Sequence, residues 1–212
     1  MQSIRKSAPL IEILGIVQVT ATSDEFIARE KFVVGLGCGH DCSLNNCNLS
    51  DDFTHWFLPY STGKVEIVIG GHTLHYGKLR KISVDNSVLR ALGGETNAET
   101  SLSAVYDLLL KQRGENRTGS EKGVLSIEAS NIFYVRDYHK VLRVVNVHWM
   151  GNRHSDNWRH NGRWGICTFP LRHQPVRYQR YSRYWWKGWN DGCQVFSFNP
   201  LTPEARRATL AK

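Results

Sequence analysis

Arginine and tyrosine recur together with a period of three in residues 177–193, RYQRYSRYWWKGWNDGC. Guanidinium groups pair with phosphates and release counterions. Aromatic rings stack on unpaired bases, and each stack contributes about 1–3 kcal/mol. The repeat therefore predicts a surface that binds single-stranded nucleic acid. Its candidate residues are Arg177, Tyr178, Arg180, Tyr181, Arg183, Tyr184 and Lys187.

The conformation of this segment decides which of its side chains are exposed. In a β-strand, Arg177 and Arg183 would lie on one face and Arg180 on the other, which suits a buried sheet poorly. In a helix or a three-residue-per-turn extended chain, the arginines line one side with the tyrosines beside them. The alternative is that the tyrosines cover the core while the arginines are solvated. We expect RYQRYSRY on the surface and part of WWKGW in the core, because tryptophan has the largest apolar area.

Positive charge is concentrated around this segment. The chain has 212 residues and a net charge of +8 at pH 7. Residues 136–187 contain eleven Lys and Arg and two Asp, whereas the remainder contains sixteen Lys and Arg against seventeen Asp and Glu. Five of the nine histidines and five of the seven tryptophans lie in the same stretch. A basic region beside a nearly neutral remainder indicates a polyanionic partner, with RNA or single strands favoured.

A binding module for carbohydrate or protein is the alternative function. In that interpretation tryptophans of a β-rich region form an apolar platform, because sugar faces also stack on aromatic rings. Such a platform needs no excess of cations, so the charge favours nucleic acid. The candidate platform residues are Trp158, Trp164, Trp185 and Trp189.

Four soft ligands occur within ten residues in a segment rich in Gly, Asn and Ser. Tetrahedral zinc needs four such groups with enough slack to surround the ion. The spacing is tighter than that of a usual zinc knuckle, and no second ligand pair is obvious, so we expect unliganded thiols and no cofactor. The candidate zinc ligands are Cys38, His40, Cys42 and Cys47. Two further cysteines, Cys167 and Cys193, lie in apolar strand patterns and are expected to be buried.

The same basic region offers groups for two kinds of catalysis. A nuclease could use one of His148, His154 and His160 as general base, with Asn157 and Arg163 on phosphate. A hydrolase could pair Cys167 with a histidine and Asn157. The spacing fixes neither geometry, and loops rich in His, Asn and Gly are ordinary between strands, so a non-enzymatic protein is favoured.

The elements that must position these residues follow from periodicity. Residues 10–20 alternate as a strand, which argues against a signal peptide. No apolar run approaches the ~18 residues of a membrane helix, so we expect no membrane contact and a cytoplasmic location. KVEIVIGGHTLHYGKL, residues 64–79, is typical of a hairpin with its turn at Gly70-Gly71. A helix capped by Ser83 should end at Gly93, and a second should begin at a capping box of Thr96 and Glu99.

Beyond residue 123 the pattern has a period of two. Five candidate strands follow, GVLSIEA, NIFYVRD, VLRVVNVHW, RWGICTF and CQVFSF. The predicted fold class is α+β, with an N-terminal mixed region and a helical pair followed by a mainly antiparallel meander. Residues 1–200 are expected to form one domain, and residues 201–212 a tail that could form a short helix.

The succession HYGKLRKISVDNSVLRALGGE, AETSLSAVYDLLLKQ, NIFYVRD, VLRVVNVHW and CQVFS resembles a group of small uncharacterised bacterial α+β proteins, across residues 65–198. In that group a similar helical pair precedes a β-rich end that closes on a VFS-like strand. The resemblance implies a single α+β domain and no particular activity. RYQRYSRY and CGHDCSLNNC do not belong to the resembling pattern.

Overall fold

The architecture was obtained from a computed structural model. It describes the backbone of residues 8–22, 24–33, 47–59, 63–67, 70–118, 123–150, 163–171 and 188–201. The side chains of 113–118 and of 163 are not described.

Within these residues the chain is an α+β protein, as its periodicity predicts. The strands are β1 (Ile11–Val19), β2 (Phe26–Ile27), β3 (Cys47–Leu49), β4 (Val65–Glu66), β5 (His72–Leu79), β6 (Glu99–Thr100), β7 (Asn131–Arg136), β8 (Leu142–Met150), β9 (Arg163–Pro170) and β10 (Gln194–Ser197). The helices are α1 (Ala28–Lys31), α2 (Asp51–Phe57), α3 (Asp85–Leu92), α4 (Glu95–Ala98) and α5 (Leu102–Thr118). No helix among the described residues is both long and apolar enough to cross a membrane.

The strands form a mixed sheet of eight strands and a separate pair. The main sheet has the order β1-β5-β10-β7-β8-β9-β3, and β6 also pairs with β7. Strands β7, β8 and β9 form the antiparallel part of the predicted meander. Strand β10 instead crosses back between β5 and β7 and runs parallel to β7. The prediction of one continuous meander is therefore not confirmed, because the last strand fills the gap between the two halves of the sheet.

The first candidate strand of the meander, GVLSIEA, does not form in the described part of the chain. Its backbone is held by side chains instead. The Ser126 amide donates to the Oδ1 of Asn131 at 2.8 Å and to the Oε1 of Gln194 at 3.2 Å. Asn131 is completely buried, and its Nδ2 also donates to the Val147 carbonyl at 3.0 Å. The alternation of apolar residues here reflects packing around these bonds rather than a strand ladder.

The hairpin predicted over residues 64–79 is also wrong. Strand β4 pairs with β2, whereas β5 pairs with β1 on one edge and β10 on the other. Both edges of β5 are therefore occupied, and none remains for β4. A Gly-Gly pair between two apolar runs permits a tight turn, but it does not determine which strands pair.

One of the helix ends predicted from the sequence is confirmed, whereas the two predicted helix caps do not form. Helix α3 ends at Gly93, whose φ of 88° is left-handed as a helix C-terminus favours. Ser83 does not cap that helix, because its Oγ donates to the Lys81 carbonyl at 3.0 Å. The predicted second helix breaks into α4, β6 and α5. Glu99 lies in β6 and pairs with Arg136, so it forms no capping box with Thr96.

The N-terminus of α5 is capped by a residue from a distant strand. The buried carboxylate of Glu66 accepts from the Leu102 amide at 2.8 Å and from the Ser103 amide at 2.9 Å. Ser101 adds a cap of the usual kind, since its Oγ accepts from the Ala104 amide at 3.1 Å. Three backbone donors that the helix itself leaves unpaired are thus satisfied.

Apolar layers cover both faces of the main sheet. On one face, α2 and α5 pack over Phe133, Phe196 and Val145, and the rings of Phe133 and Phe196 stack 4.4 Å apart. On the other face, the buried residues of α3 and α4 pack with Tyr134 and Val195. We call this second apolar cluster the α3 layer. Both faces of the central strands are therefore buried, which matches their nearly continuous apolar sequences.

Changing Glu66 to alanine should lower the free energy of unfolding by about 2–4 kcal/mol, because two buried amides lose their acceptor. Urea denaturation followed by circular dichroism measures this. The control is Glu12→Ala, which removes an exposed carboxylate that lies 3.6 Å from Arg80. That change should cost no more than about 0.5 kcal/mol. Equal losses in the two variants would contradict the capping role of Glu66.

Candidate functional site

The predicted nucleic-acid-binding residues Arg177, Tyr178, Arg180, Tyr181, Arg183, Tyr184 and Lys187 lie outside the described residues. The structure does describe the two points between which they are attached. The chain leaves the fold after Leu171, which follows β9, and returns to it at Gly188. We call residues 172–187 the basic-aromatic segment.

A buried tryptophan fixes the point of return. Trp189 is 2% exposed, and its indole Nε1 donates to the Oδ1 of Asp85 at 2.7 Å. The same carboxylate oxygen accepts from the hydroxyl of Tyr134 at 3.0 Å. Asp85 itself is 3% exposed and is the first residue of α3. This buried cluster joins the end of the basic-aromatic segment to a helix and to the central strand β7.

The backbone beside Trp189 is fixed as well. Trp189 and Ser83 exchange two backbone hydrogen bonds, of 2.7 Å and 2.9 Å. Gly188 has a φ of 129°, in the region that favours glycine, and a Cβ there would lie 2.7 Å from the Ser83 carbonyl oxygen. The close approach of the backbone at Gly188 to the backbone at Ser83 therefore requires glycine at position 188.

The point of departure lies in the same apolar layer. The rings of Phe169 and Trp189 meet edge to face with their centroids 6.4 Å apart. Leu171 also packs against the α3 layer, to which Trp189 belongs. The basic-aromatic segment thus begins and ends at one layer of the fold. The prediction that part of WWKGW is core is confirmed for Trp189.

Asp85 and Tyr134 form a strong donor–acceptor pair. Burial raises the pKa of Tyr134 well above its ordinary value, and the charge of Asp85 and the hydrogen bond to it raise that pKa further. The phenol therefore keeps its proton at neutral pH and donates it to the carboxylate.

We call the described part of the chain the framework, and two of its arginines near this region are paired with carboxylates. Arg136 Nε lies 2.9 Å from the Oε2 of Glu99, and Arg143 Nε lies 2.8 Å from the Oδ2 of Asp137. Asp137 is completely buried and also accepts from two backbone amides of its hairpin. The basic-aromatic segment, by contrast, contains five Lys and Arg and no Asp or Glu. The positive excess of the region therefore belongs mainly to sequence outside the framework.

A polar strip on strands β8 and β9 contains the residues considered for catalysis. Asn146 is paired with Cys167 and His148 with Gly165, so their side chains share one face of the sheet. A Cβ at Gly165 would lie 2.7 Å from the Nε2 of His148, so glycine leaves room for the imidazole. The strip thus brings a histidine, an amide and a thiol to the same part of the sheet.

The electrostatics of this strip do not favour a cysteine nucleophile. Burial lowers the pKa of His148, an effect partly opposed by the Asn146 backbone carbonyl. Burial raises the pKa of Cys167; a hydrogen bond with Ser50 opposes this rise, whereas the charge of Asp52 adds to it. A catalytic thiolate–imidazolium pair needs shifts in the opposite directions. Asn157, the third member of the predicted set, lies outside the described residues, as do all but the backbone of Arg163.

Of the four candidate zinc ligands, Cys47 alone belongs to the described residues. Cys38, His40 and Cys42 lie outside them. Cys47 lies in β3 opposite Trp164 and packs against the apolar layer under α2 and α5. In the described part of the chain, no three His, Cys, Asp or Glu side chains are grouped so that they could hold a metal ion. Cys193 is buried, as predicted, whereas Cys167 is only partly buried.

An open cleft of about 230 Å³ lies between the end of β1 and α5. Its lining includes the carboxylates of Asp24, Glu25 and Asp107. Asp107 accepts from the Thr20 amide at 3.1 Å and lies 2.8 Å from the Nζ of Lys111. Three carboxylates against few cations make this cleft unsuitable for a polyanion.

Asp85, which accepts hydrogen bonds from two distant side chains, is not among the residues predicted from the sequence. An acidic residue in the first turn of a helix is nevertheless a usual signal of a helix start. Its partners Tyr134 and Trp189 are 49 and 104 residues away. No spacing rule connects positions so far apart.

Comparison with protein-family models, curated proteins and solved structures finds no match to this chain. The site is therefore interpreted from its own residues.

The burial of His148 predicts a titration midpoint below the ordinary value of 6.5. Histidine-resolved NMR measures it, and His148→Gln identifies the signal. Because the folded pKa is below the unfolded one, the stability linked to this residue is intact above pH 6.5 and is lost as the pH falls through the folded value. His148→Gln should therefore lose less stability on acidification than the wild type. A midpoint above the ordinary value would contradict the buried position.

Proposed function

We propose that this protein is a non-enzymatic nucleic-acid-binding protein that favours RNA or other single strands. The basic-aromatic segment forms the contact. Arg177, Arg180, Arg183 and Lys187 bind phosphates, whereas the tyrosines stack on bases. The observation behind this proposal is the composition of residues 172–187, which contain five cations, five tyrosine and tryptophan residues and no carboxylate.

The charge balance of the framework supports this assignment. Arg136 and Arg143 are paired with carboxylates, and a paired guanidinium has little charge left for phosphate. A polyanion is attracted to the net field of a region rather than to its number of arginines. Of the net charge of +9 in residues 136–187, the basic-aromatic segment contributes +5 and residues 151–162 contribute +1.

The attachment of the segment supports it as well. Ordering a chain on binding costs roughly 0.5–1.5 kcal/mol per immobilised side chain. A segment whose two ends are held at one apolar layer has fewer conformations to lose than a free tail. The bonds from Trp189 to Asp85 and Ser83, and the contact between Trp189 and Phe169, hold one end in this way.

The tryptophan platform of the alternative function is weakened by burial. Trp164 is 7% exposed and Trp189 is 2% exposed, so neither presents a face to a sugar ring. The remaining candidates, Trp158 and Trp185, lie outside the described residues. Two of the four proposed platform residues therefore stabilise the core, which leaves nucleic acid as the favoured ligand.

Replacing Arg177, Arg180 and Arg183 with glutamine should weaken binding to a labelled single-stranded oligonucleotide. It should also lower the slope of log affinity against log salt by about 2, since each phosphate contact contributes roughly 0.7. Fluorescence anisotropy at several salt concentrations measures both quantities. Replacing Tyr178 and Tyr181 with leucine should weaken binding with little change of slope, because stacking releases no counterions.

The matched control removes three cations from the framework instead. Lys78, Lys81 and Arg90 are all exposed, and their replacement with glutamine should change the salt slope by less than about 0.7. Equal losses of slope in both triple variants would mean that binding follows total charge rather than the segment. Wild-type binding no tighter than ~100 μM at low salt would exclude the proposed function.

A further inference from the structure

The hairpin that joins β7 to β8 lies beside the point where the basic-aromatic segment leaves the fold. Strands β7 and β8 are connected by residues 137–141, which we call the hairpin tip. Near the start of β8, Arg143 is paired with Pro170, the last residue of β9. Adjacent strands of a sheet lie only about 4.8 Å apart. The hairpin tip is therefore at the same end of the sheet as Leu171, after which the basic-aromatic segment begins.

A buried carboxylate fixes the backbone of the hairpin tip. Asp137 is completely buried, and its Oδ1 accepts from the His139 amide at 2.8 Å and from the Val141 amide at 2.9 Å. Its Oδ2 accepts from the Nε of Arg143 at 2.8 Å. The conformation of the tip is thus held by the framework before any ligand binds, so a ligand loses little affinity to the ordering of this backbone.

The hairpin tip carries a lysine where glycine is usual. Lys140 has a φ of 65°, in the left-handed region that closes a three-residue hairpin loop. Glycine adopts this conformation at no steric cost, so the turn itself does not explain the lysine. Lys140 is exposed and belongs to none of the ion pairs found among the described residues, whereas Arg136 and Arg143 are each paired with a carboxylate. The tip therefore presents a cation that can bind a phosphate.

Two aromatic rings lie beside this lysine in the hairpin tip. The ring centroids of Tyr138 and His139 are 3.8 Å apart, and the interplanar angle is 39°. Tyr138 is half-buried, and its amide donates to the Trp56 carbonyl at 3.4 Å, which ties it to α2. His139 is exposed. The tyrosine ring therefore supports an exposed imidazole, and histidine is one of the side chains on which unpaired bases stack.

We propose that the hairpin tip is a second contact for the single-stranded nucleic acid that binds the basic-aromatic segment. A base stacks on the ring of His139, which Tyr138 supports, and a neighbouring phosphate binds the ammonium group of Lys140. The tip thus combines a cation with aromatic rings, as the segment does, in a part of the chain whose conformation is fixed. This inference rests on the proposed function, because it assumes the same ligand.

Fluorescence anisotropy with a labelled single-stranded oligonucleotide at several salt concentrations tests the proposal. His139→Ala should weaken binding about fivefold or more with little change in the slope of log affinity against log salt, because stacking releases no counterions. Lys140→Gln should lower that slope by about 0.7, as the loss of one phosphate contact predicts. The matched control is Lys78→Gln, which removes an exposed cation whose register through β10 places it at Asn131, the opposite end of β7. This control should bind as the wild type does.

Urea denaturation of the same variants separates binding from folding. Both changes affect exposed side chains, so the unfolding midpoint should stay at the wild-type value. Unchanged binding by either tip variant, or equal losses of slope in Lys140→Gln and Lys78→Gln, would overturn this inference and leave the proposed function intact. A lowered unfolding midpoint in His139→Ala would also overturn it, because the histidine would then be structural. No binding by the wild type would overturn both the inference and the proposed function.

Discussion

The arrangement of the C-terminal half depends on the hydrogen bonds that the buried Asp85 carboxylate accepts. Asp85 begins α3 and accepts hydrogen bonds from Tyr134 on the central strand and from Trp189 beyond the basic-aromatic segment. Both donors are buried, so without this acceptor each would lose its partner in a medium with no water to replace it. One charged group therefore determines where the helix, the sheet and the returning chain meet.

The framework and the basic-aromatic segment differ in their charge balance. In the framework, Arg136 and Arg143 are paired with carboxylates, Arg143 with the buried Asp137. The basic-aromatic segment is attached to the α3 layer at both ends, and its five Lys and Arg have no acidic neighbours in its own sequence. A balanced framework and an unbalanced segment form a simple physical basis for binding a polyanion at one place.

The success of sequence reasoning depended on the distance between interacting residues. Alternation over nine residues predicted β1, and glycine at position 93 predicted the end of α3, because both signals are local. The insertion of β10 between β5 and β7 was not predictable, since alternation defines faces but not neighbours. The capping of α5 by Glu66 joins groups 36 residues apart, and the bond from Trp189 to Asp85 spans 104. Tertiary packing selects such partners, and periodicity does not encode them.

Photochemical cross-linking with mass-spectrometric mapping tests the central claim most directly. The claim is that nucleic acid contacts the basic-aromatic segment and not the framework as a whole. A single-stranded oligonucleotide containing a photoreactive base should cross-link to Tyr178, Tyr181 or Tyr184, because stacking places rings against bases. Salt should suppress the cross-links, as phosphate contacts require. Cross-links confined to framework residues such as those of β5 or α3, or none above the background of an unrelated basic protein, would contradict the account.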